Sequence, residues 1–315
     1  MVSLGLVCAL PSQEAMQGQF LDFIQKYNRS YGLDEITARF EYFTKSLAEV
    51  ERLNLLNPHA QFGLNAYADR SPAELQHLRG YVKPDVNRSA APELEAPSLR
   101  APASMDWRTK GKVSAVKDQG QCGSCWAFSA TEAIESAWAM KGHSVPTLAP
   151  QQITSCDFFD GGCGGGNTET AYSYVQLAGG IAPESKYPYL SGGGSSGMCY
   201  YSGSMAFPGI KVTGHSSAGK GDENKMKAIM STSGPISVCV DASSWQYYKG
   251  GVMSSCGQSV DHCVQAVGYN SAANPPYWIV RNSWGSLWGE QGYIRLRMGG
   301  DTCAIASDPT IPTLA

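Results

Sequence analysis

Two cysteines stand three positions apart at the edge of an apolar run, in the stretch QGQCGSCWAF at residues 119–128. Such a pair can be a redox dithiol, half of a zinc site, or a disulfide cysteine beside a nucleophile. Zinc needs a second ligand pair, and the sequence has neither another C-x-x-C nor two histidines at zinc spacing. A thioredoxin-like dithiol belongs to a βαβ unit, whereas the strands predicted downstream are antiparallel in character. The pattern therefore favours a bridged Cys122 and a free Cys125.

Cys125 opens a segment, 125–141, that is predicted to be a helix ended by Gly142. The positive end of a helix dipole favours the thiolate, which is the nucleophilic form of cysteine. A nucleophile of this kind needs a base within reach and a third group that orients the base. The base must therefore come from one of the histidines elsewhere in the chain.

Three histidines follow the first hundred residues. His143 and His215 are predicted to be solvated surface residues, the second in a polar loop. His262 begins the strand-like run HCVQAVGYN, and Asn282 follows the run YWIVR, close to Trp284. An asparagine beside a histidine can accept its ring N–H and fix its tautomer without adding charge. A single histidine in a strand is more often a packed core residue, but the combination with a free cysteine and an asparagine favours catalysis.

The composition restricts the classes of function. The 315 residues are 43% hydrophobic and 10% aromatic, and 27 acidic against 24 basic residues give a net charge of −3. This balance provides no electrostatic footprint for nucleic acid or for an anionic membrane. Ten cysteines in a chain of this length indicate an oxidising compartment. No apolar stretch approaches the roughly 20 residues of a membrane-spanning helix, so we expect neither a nucleic-acid nor a membrane partner.

The first hundred residues have a helical pattern. Over 17–56, apolar residues recur every three or four positions, and Asp34 is placed to cap the helix that follows it. Ser71, Pro72 and Glu74 predict a third, short helix that begins with a capping box and a proline at its first position.

The chain changes character after a linker. Residues 84–103 are rich in Pro, Ala and polar residues without periodicity, which predicts an exposed, extended segment. From about residue 207, runs rich in Val, Ile, Tyr and Trp predict strands. Helices first and strands later indicate an α+β protein whose two lobes meet at an interface. We expect residues 1–12 to be the remnant of a signal peptide, and the alternative is an apolar first turn of the next domain.

These motifs together resemble those of the papain-family cysteine proteases. The match covers nearly the whole sequence. Five segments occur in the family's order and spacing, namely DWRTKGKVSAVKDQGQCGSCWAFSA, GCGGGN, YPY, VDHCVQAVGYN and RNSWGSLWGEQGYIRL. The resemblance implies a papain-like fold over residues 101–315, with a helical left lobe and a β-barrel-like right lobe. It also implies a cysteine protease without cofactor or metal. Nothing between 122 and 163 is similar to the occluding insertion of cathepsin B, so we expect endopeptidase activity.

The resemblance also implies the roles of individual residues. Cys125 is then the nucleophile, His262 the general base and acid, and Asn282 the residue that orients the histidine. Gln119 is expected to donate its side-chain amide, with the Cys125 N–H, to an oxyanion hole, and Trp284 to shield the His–Asn hydrogen bond. The implied substrate-binding residues are Gly123, Gly165, Gly166, Asn167, Thr168, Cys239, Asp261, Cys263, Trp284 and Asp308.

The family's disulfide pairing implies the bridges Cys122–Cys163, Cys156–Cys199 and Cys256–Cys303. Cys239 and Cys263 lie outside this set, where the family places small apolar residues in the wall of the S2 pocket. This pocket holds P2, the substrate residue two before the cut. We predict a fourth disulfide between them, and the alternative is two small buried hydrophobic residues.

Asp308 falls where the family sets the base of the S2 pocket. A carboxylate there predicts a preference for Arg or Lys at P2 through a charge-assisted hydrogen bond. The alternative is a carboxylate that turns to solvent.

The first hundred residues resemble the pro-regions of cathepsin L-type precursors. Glu35, Arg39, Phe43, Val50 and Asn54 fit that signature, with Ser46 where asparagine is usual. GLNAYAD at 63–69 fits a second pro-region motif. The resemblance implies an inhibitor pro-domain over 17–80 and a linker over 81–100 that runs backwards through the cleft of a zymogen. Cleavage is expected near residues 99–101. Acid would promote it by weakening pairs such as Glu35–Arg39, unless that pair is an ordinary surface salt bridge.

The implied partners are peptide and protein substrates and the chain's own pro-domain, with a monomer as the default. Sequons at Asn28 and Asn87 fit a secretory route, which predicts a lysosomal, vacuolar or extracellular protein. Two alternatives belong to other classes. An inactive binding or storage protein would carry Ser or Gly at position 125, where this chain has Cys. Peptide ligation shares the thioester intermediate, so the sequence leaves it open.

Overall fold

The computed structural model describes residues 11–83, 91–98 and 100–315. Most of the expected signal remnant, the Asn87 sequon and position 99 of the expected cleavage region lie outside the described residues. Among the residues that are described, no helix combines the length and the apolar character needed to cross a bilayer.

The N-terminal unit consists of α1 (Gln13–Lys26), α2 (Ile36–Leu56), strand β1 (Ala60–Phe62) and α3 (Pro72–Gln76). The first two helices pack through buried aromatic rings, and the centroids of Phe20 and Phe43 lie 5.2 Å apart. The strand β1 pairs antiparallel with β5 (Tyr248–Met253). The unit is therefore joined to the rest of the chain by main-chain hydrogen bonds as well as by side chains.

The helix starts show where local reasoning succeeds and where it fails. The capping box of α3 is confirmed, because Ser71 Oγ accepts from the Glu74 N–H and the Glu74 carboxylate accepts from the Ser71 N–H. The prediction that Asp34 caps α2 is wrong. The N-cap is Glu35, and the Gly32 carbonyl already accepts from the N–H groups of Glu35 and Ile36. These backbone bonds leave no role for the Asp34 side chain.

The helical lobe is built on α4 (Cys125–Met140), with α5 (Pro150–Cys156) and α6 (Thr168–Leu177) beside it. Gly142, which follows α4, has the positive φ (+95°) expected of a residue that ends a helix. The helix is buried on most of its surface, and its charged residues are paired there. Glu135 binds Lys117 at 2.6 Å, and Glu132 lies 3.2 Å from Arg281 of the other lobe. Such pairing is what makes buried charges tolerable.

The second lobe contains α7 (Glu223–Ser233) and most of the strands. They are β2 (Ser104–Asp106), β3 (Val212–Ser217), β4 (Ile236–Val240), β6 (His262–Asn270), β7 (Tyr277–Arg281), β8 (Tyr293–Arg297) and β9 (Thr310–Leu314). The spatial order is β1-β5-β8-β7-β6-β4-β9-β3, with β2 paired to β6. The strand-like runs HCVQAVGYN and YWIVR correspond to β6 and β7.

His215 is not in a loop, contrary to the sequence prediction. It lies in β3, opposite Pro312 of β9, and its ring is half-buried with its centroid 5.6 Å from that of Tyr172. Burial lowers the pKa of His215. The polar composition of β3 hid the strand, because an edge strand needs few apolar residues.

Candidate active site

Cys125 is the first residue of α4 and is fully buried. Of the cysteines in the described part of the chain, it alone is free. Its Sγ accepts a hydrogen bond from the backbone N–H of Cys263 at 3.4 Å. The thiol is therefore held at a helix N-terminus and against the start of β6, where the next candidate residue lies.

His262 is the first residue of β6, and Asn282 follows the last residue of β7. These strands are antiparallel, with Gln265 opposite Arg281, so the two side chains meet at one end of the sheet. His262 Nε2 lies 2.8 Å from Asn282 Oδ1. The other ring nitrogen, Nδ1, has no hydrogen-bond partner among the described groups. It is thus available to exchange a proton with a neighbouring group.

Aromatic rings keep water from this pair. The Trp284 ring covers His262, with 5.0 Å between the ring centroids, and the edge of Trp245 contacts it from another direction. His262 and Asn282 are both fully buried. A hydrogen bond in such surroundings is stronger than one exposed to water.

Gln119 lies in the loop before α4. Its Oε1 accepts from Ser283 Oγ at 2.6 Å, which turns its Nε2 toward the N-terminal unit. That Nε2 donates to the Leu78 carbonyl oxygen at 3.0 Å, and Trp284 Nε1 donates to the same oxygen at 3.0 Å. A carbonyl of the N-terminal unit therefore occupies the position where the Gln119 amide can stabilise an oxygen.

The segment after α3 passes directly over the Cys125 thiol. The Asp261 carbonyl accepts from the N–H groups of Gly80 and Tyr81, at 3.1 and 3.0 Å. On the opposite side, Gly166 donates to the Gly80 carbonyl and accepts from the Val82 N–H, both at 2.8 Å. Gly166 is an implied substrate-binding residue, and in this structure its backbone bonds the segment that follows α3.

The other two glycines of the cleft also have no room for side chains. A Cβ on Gly123 would lie 2.6 Å from the Cys163 carbonyl oxygen and 3.0 Å from that of Arg79. A Cβ on Gly165 would lie 2.8 Å from the Gly80 carbonyl oxygen. Both positions therefore let another chain approach the backbone closely.

Asp308 is 6% exposed, and the Tyr81 side chain reaches its carboxylate. Its Oδ2 accepts from the Tyr81 hydroxyl and from Asn167 Nδ2, each at 3.3 Å. The alternative in which Asp308 turns to solvent is therefore wrong. Thr168 is buried nearby, but its hydroxyl is engaged with Thr310 at 3.3 Å.

All four predicted disulfides are formed. The three bridges implied by the family pairing are Cys122–Cys163, Cys156–Cys199 and Cys256–Cys303. The fourth joins Cys239 of β4 to Cys263 of β6, which are directly opposite each other in the antiparallel ladder. Both cysteines pack in the same apolar cluster as Cys125, and Tyr81 packs against that cluster.

Two family models match this chain. Residues 101–313 match the model of the papain family cysteine protease, and residues 20–75 match that of the cathepsin propeptide inhibitor domain. The chain belongs to the papain family. It is 41% identical over 303 residues to cysteine proteinase A of Leishmania mexicana, covering 93% of this chain and 84% of that protein. It is 36% identical over 312 residues to a cysteine proteinase of Trypanosoma brucei brucei, covering 96% and 67%.

Solved structures resemble this papain-family chain as a whole. Digestive procathepsin L2 from the larval midgut of Tenebrio molitor superposes with a TM-score of 0.86 at 33% identity, covering 95% of this chain and 100% of that one. A recombinant stem bromelain precursor gives 0.83 at 33% identity, covering 95% and 99%. The protein is therefore a papain-family cysteine protease made as a proenzyme, with the two-lobed fold and an N-terminal propeptide.

Burial dominates the electrostatics of this papain-family site. Burial raises the pKa of the Cys125 thiol to about 12, although hydrogen bonds from the backbone N–H groups of Cys263, Gly80 and Trp126 oppose the rise. Burial also lowers the pKa of His262 to about 3, and the positive charge of Arg79 lowers it further, although the Asn282 hydrogen bond opposes this. Both shifts favour the neutral forms of the two groups in this structure.

Sequence reasoning missed two residues of this protease's site, Gly80 and Tyr81. A Cβ on Gly80 would lie 1.9 Å from the Gly123 carbonyl oxygen, so only glycine fits there. The only local signal was a glycine followed by an aromatic residue between a short helix and a linker. That pattern is too common to identify an inhibitory contact.

Proposed function

We propose that this protease cleaves peptide bonds through a thioester on Cys125, with His262 as base and acid and Asn282 as the residue that orients it. The observation that carries the proposal is the 2.8 Å bond from His262 Nε2 to Asn282, which leaves Nδ1 unpartnered among the described groups. With Cys125 unbridged at the start of α4, the chain contains a nucleophile, a base and an orienting group.

In the proposed reaction, His262 removes the thiol proton and Cys125 Sγ bonds to the substrate's carbonyl carbon. The oxygen becomes negative and is stabilised by the Gln119 amide and the Cys125 N–H. The C–N bond then breaks as His262 returns the proton to the departing amine. In the second half, His262 deprotonates water, which attacks the thioester and releases the acid and the thiol.

The N-terminal unit keeps this site inactive until it is cut. The Leu78 carbonyl occupies the Gln119 donor, and Gly80 and Tyr81 cover the nucleophile. Because burial favours the neutral forms of both catalytic groups, removal of the prosegment exposes them to water and lets the thiolate–imidazolium pair form. Cleavage near residues 99–101 would release the inhibitor.

We propose that acid acts through Glu74, whose carboxylate binds Arg39 at 2.6 Å and Arg70 at 2.8 Å. Although burial opposes it, the hydrogen bonds from Arg39, Ser71 and Arg70 lower the pKa of Glu74 to about 2, so the stability that this carboxylate gives the N-terminal unit is lost as the pH falls. The Glu35–Arg39 pair is a weaker candidate. The Glu35 side chain is 44% exposed, and Arg39 also binds Glu74 at 2.6 Å.

Asp308 supports a preference for Arg or Lys at P2. It is a buried carboxylate that accepts hydrogen bonds, among the described residues, from two neutral donors at 3.3 Å, one of which leaves with the prosegment. A cationic side chain in the same pocket would replace the Tyr81 hydroxyl with a charge-assisted bond. The oxidised cysteines and the Asn28 sequon support a secretory route to a lysosomal, vacuolar or extracellular site.

Acidification of the purified precursor tests the core of this proposal. We expect the mass to fall by about 100 residues and the product to bind an epoxysuccinyl inhibitor at Cys125. The Cys125→Ala precursor is the control and should neither process itself nor take the label. A wild-type precursor that remains uncut and unlabelled at every acidic pH would overturn both the zymogen and the nucleophile assignments.

A further inference from the structure

The linker residues 91–98 lie on the surface of the protease domain as an added strand. The Ser217 N–H donates to the Pro92 carbonyl at 3.0 Å, and the Leu94 N–H donates to the Ser217 carbonyl at 2.9 Å. This places Glu93 in a parallel bridge with Ser217. β3 is the last strand of the sheet and only β9 occupies its other side, so this edge is open to an extended segment.

Side chains add specificity to this contact. Glu93 Oε1 lies 2.9 Å from Lys225 Nζ and accepts from the Gly219 N–H at 3.0 Å. Partial burial opposes ionisation of Glu93, but Ser217, Lys225 and Gly219 outweigh it and lower its pKa. Leu94 is partly buried against the main hydrophobic core. The surface therefore selects an acidic residue followed by an apolar one.

We propose that the β3 edge with Ser217, Gly219 and Lys225, here called the β3 exosite, binds extended peptide segments that carry an acidic residue followed by a leucine. In the proenzyme the linker fills this exosite. Cleavage near residues 99–101 separates the linker from the protease domain and vacates it, so that a matching segment of a protein substrate can bind there. Recognition combines main-chain pairing with one charge and one apolar contact, which is the usual form of strand addition to a sheet edge.

The site lies beside the specificity pocket but does not overlap it. The residue after the exosite strand, Ala218, donates its N–H to the Pro309 carbonyl at 2.8 Å, directly next to Asp308. A substrate could therefore occupy the cleft and the exosite together. The inference concerns binding alone, so its outcome does not depend on the hydrolytic mechanism.

The test uses the full-length Cys125→Ser precursor, which cannot process itself. In one form the linker carries Glu93→Ala and Leu94→Ala, which empties the exosite. The probe is a fluorescent peptide with the sequence of residues 91–98, APELEAPS. We expect it to bind this vacated form about tenfold or more tighter than the unmodified precursor, where the tethered linker competes. Equal affinity for the two forms would overturn the proposal.

Two lysines on α7 provide a matched pair. In the vacated form, Lys225→Gln should weaken peptide binding about tenfold, because a charge-assisted bond is lost. Lys227→Gln should change it little, because residues two apart on a helix do not share a face. A peptide with glutamine for Glu93 should also bind weakly. Equal effects of the two lysine substitutions would contradict the proposal.

A second measurement does not require the vacated form. Hydrogen exchange of the Leu94 N–H in the otherwise unmodified precursor should become faster with Lys225→Gln and remain unchanged with Lys227→Gln. Unchanged exchange in both variants would show that the Glu93 contact does not hold the linker on β3 and would also overturn the proposal.

Discussion

The hydroxyl of Tyr81 lies 3.3 Å from the Asp308 carboxylate, although the two residues are separated by 227 positions in the chain. Burial raises the pKa of Asp308, and only partial compensation comes from Lys220, Asn167 and Tyr81. The prosegment thus places a neutral donor against a poorly compensated buried carboxylate. A substrate with a cation at this position would provide a stronger partner.

This relationship predicts the effect of removing the charge. Asp308→Asn should lower kcat/KM for substrates with Arg at P2 by about tenfold to a hundredfold, since a charge-assisted hydrogen bond is lost. Substrates with Phe or Leu at P2 are the control and should change little. A peptide library in which Leu or Phe is strongly preferred over Arg, at both neutral and mildly acid pH, would exclude the proposed preference.

Gly80 should be required for latency. Gly80→Ala places a Cβ 1.9 Å from the Gly123 carbonyl oxygen, so the prosegment must lift from the cleft. Overpacking typically costs about 1–3 kcal/mol, so the isolated propeptide should inhibit the mature enzyme at least several-fold more weakly. Gly18→Ala in α1 is the matched control, because in the described part of the chain no atom outside the adjoining helix backbone lies within 4 Å of its Cβ position. Identical inhibition by the two variant propeptides would contradict the assignment.

The Arg79–Asp261 pair should help to hold the propeptide in the cleft. It joins the segment after α3 to the residue before β6 at 2.9 Å. Arg79→Gln breaks it at every pH, so the precursor should process itself at a higher pH than the wild type. Arg52→Gln removes an exposed pair with Glu49 in the same N-terminal unit and should leave the profile unchanged. Gel analysis across a pH series measures both, and coincident profiles would refute the role of Asp261.

Glu74 should set the acid sensitivity of the N-terminal unit. Hydrogen bonds from Arg39, Ser71 and Arg70 outweigh burial and lower its pKa from 4.5 to about 2. Its contribution to stability is therefore complete above pH 4.5 and is lost as the pH falls toward 2. Glu74→Gln should lower the urea midpoint of the Cys125→Ser precursor at pH 7 and flatten its pH dependence below 4.5. Glu14→Gln, at an exposed position of α1, should do neither.

The Cys239–Cys263 bridge should affect both stability and specificity. Its partners are 24 positions apart, and closing such a loop stabilises a fold by about 3 kcal/mol in the chain-entropy model. A Cys239→Ala/Cys263→Ala variant should unfold at a lower temperature and show altered P2 selectivity. Thiol titration of the inactivated mature enzyme provides the check, because two additional thiols in the wild type would show that the bridge is open.

Much of the site was predictable because its residues lie in short, strongly patterned segments. Cys125 begins a helix that its apolar residues make recognisable in the sequence. His262 begins one strand and Asn282 follows another, and both strands are rich in Val, Ile and Tyr. The capping box at Ser71 was predictable for the same reason. Each of these features depends on interactions within a few residues of the chain.

The sequence by itself thus identified Cys125 as the candidate nucleophile, located the strands that carry its candidate partners, and indicated a propeptide and a protease domain. Only the tertiary structure decided that Tyr81 meets Asp308, that Gly80 lies on Gly123, and that Glu93 pairs with β3. It also moved His215 into an edge strand and left Asp34 without a capping role. These contacts join segments that are far apart in the chain. Their chemistry arises from burial and packing, which local residue patterns do not encode.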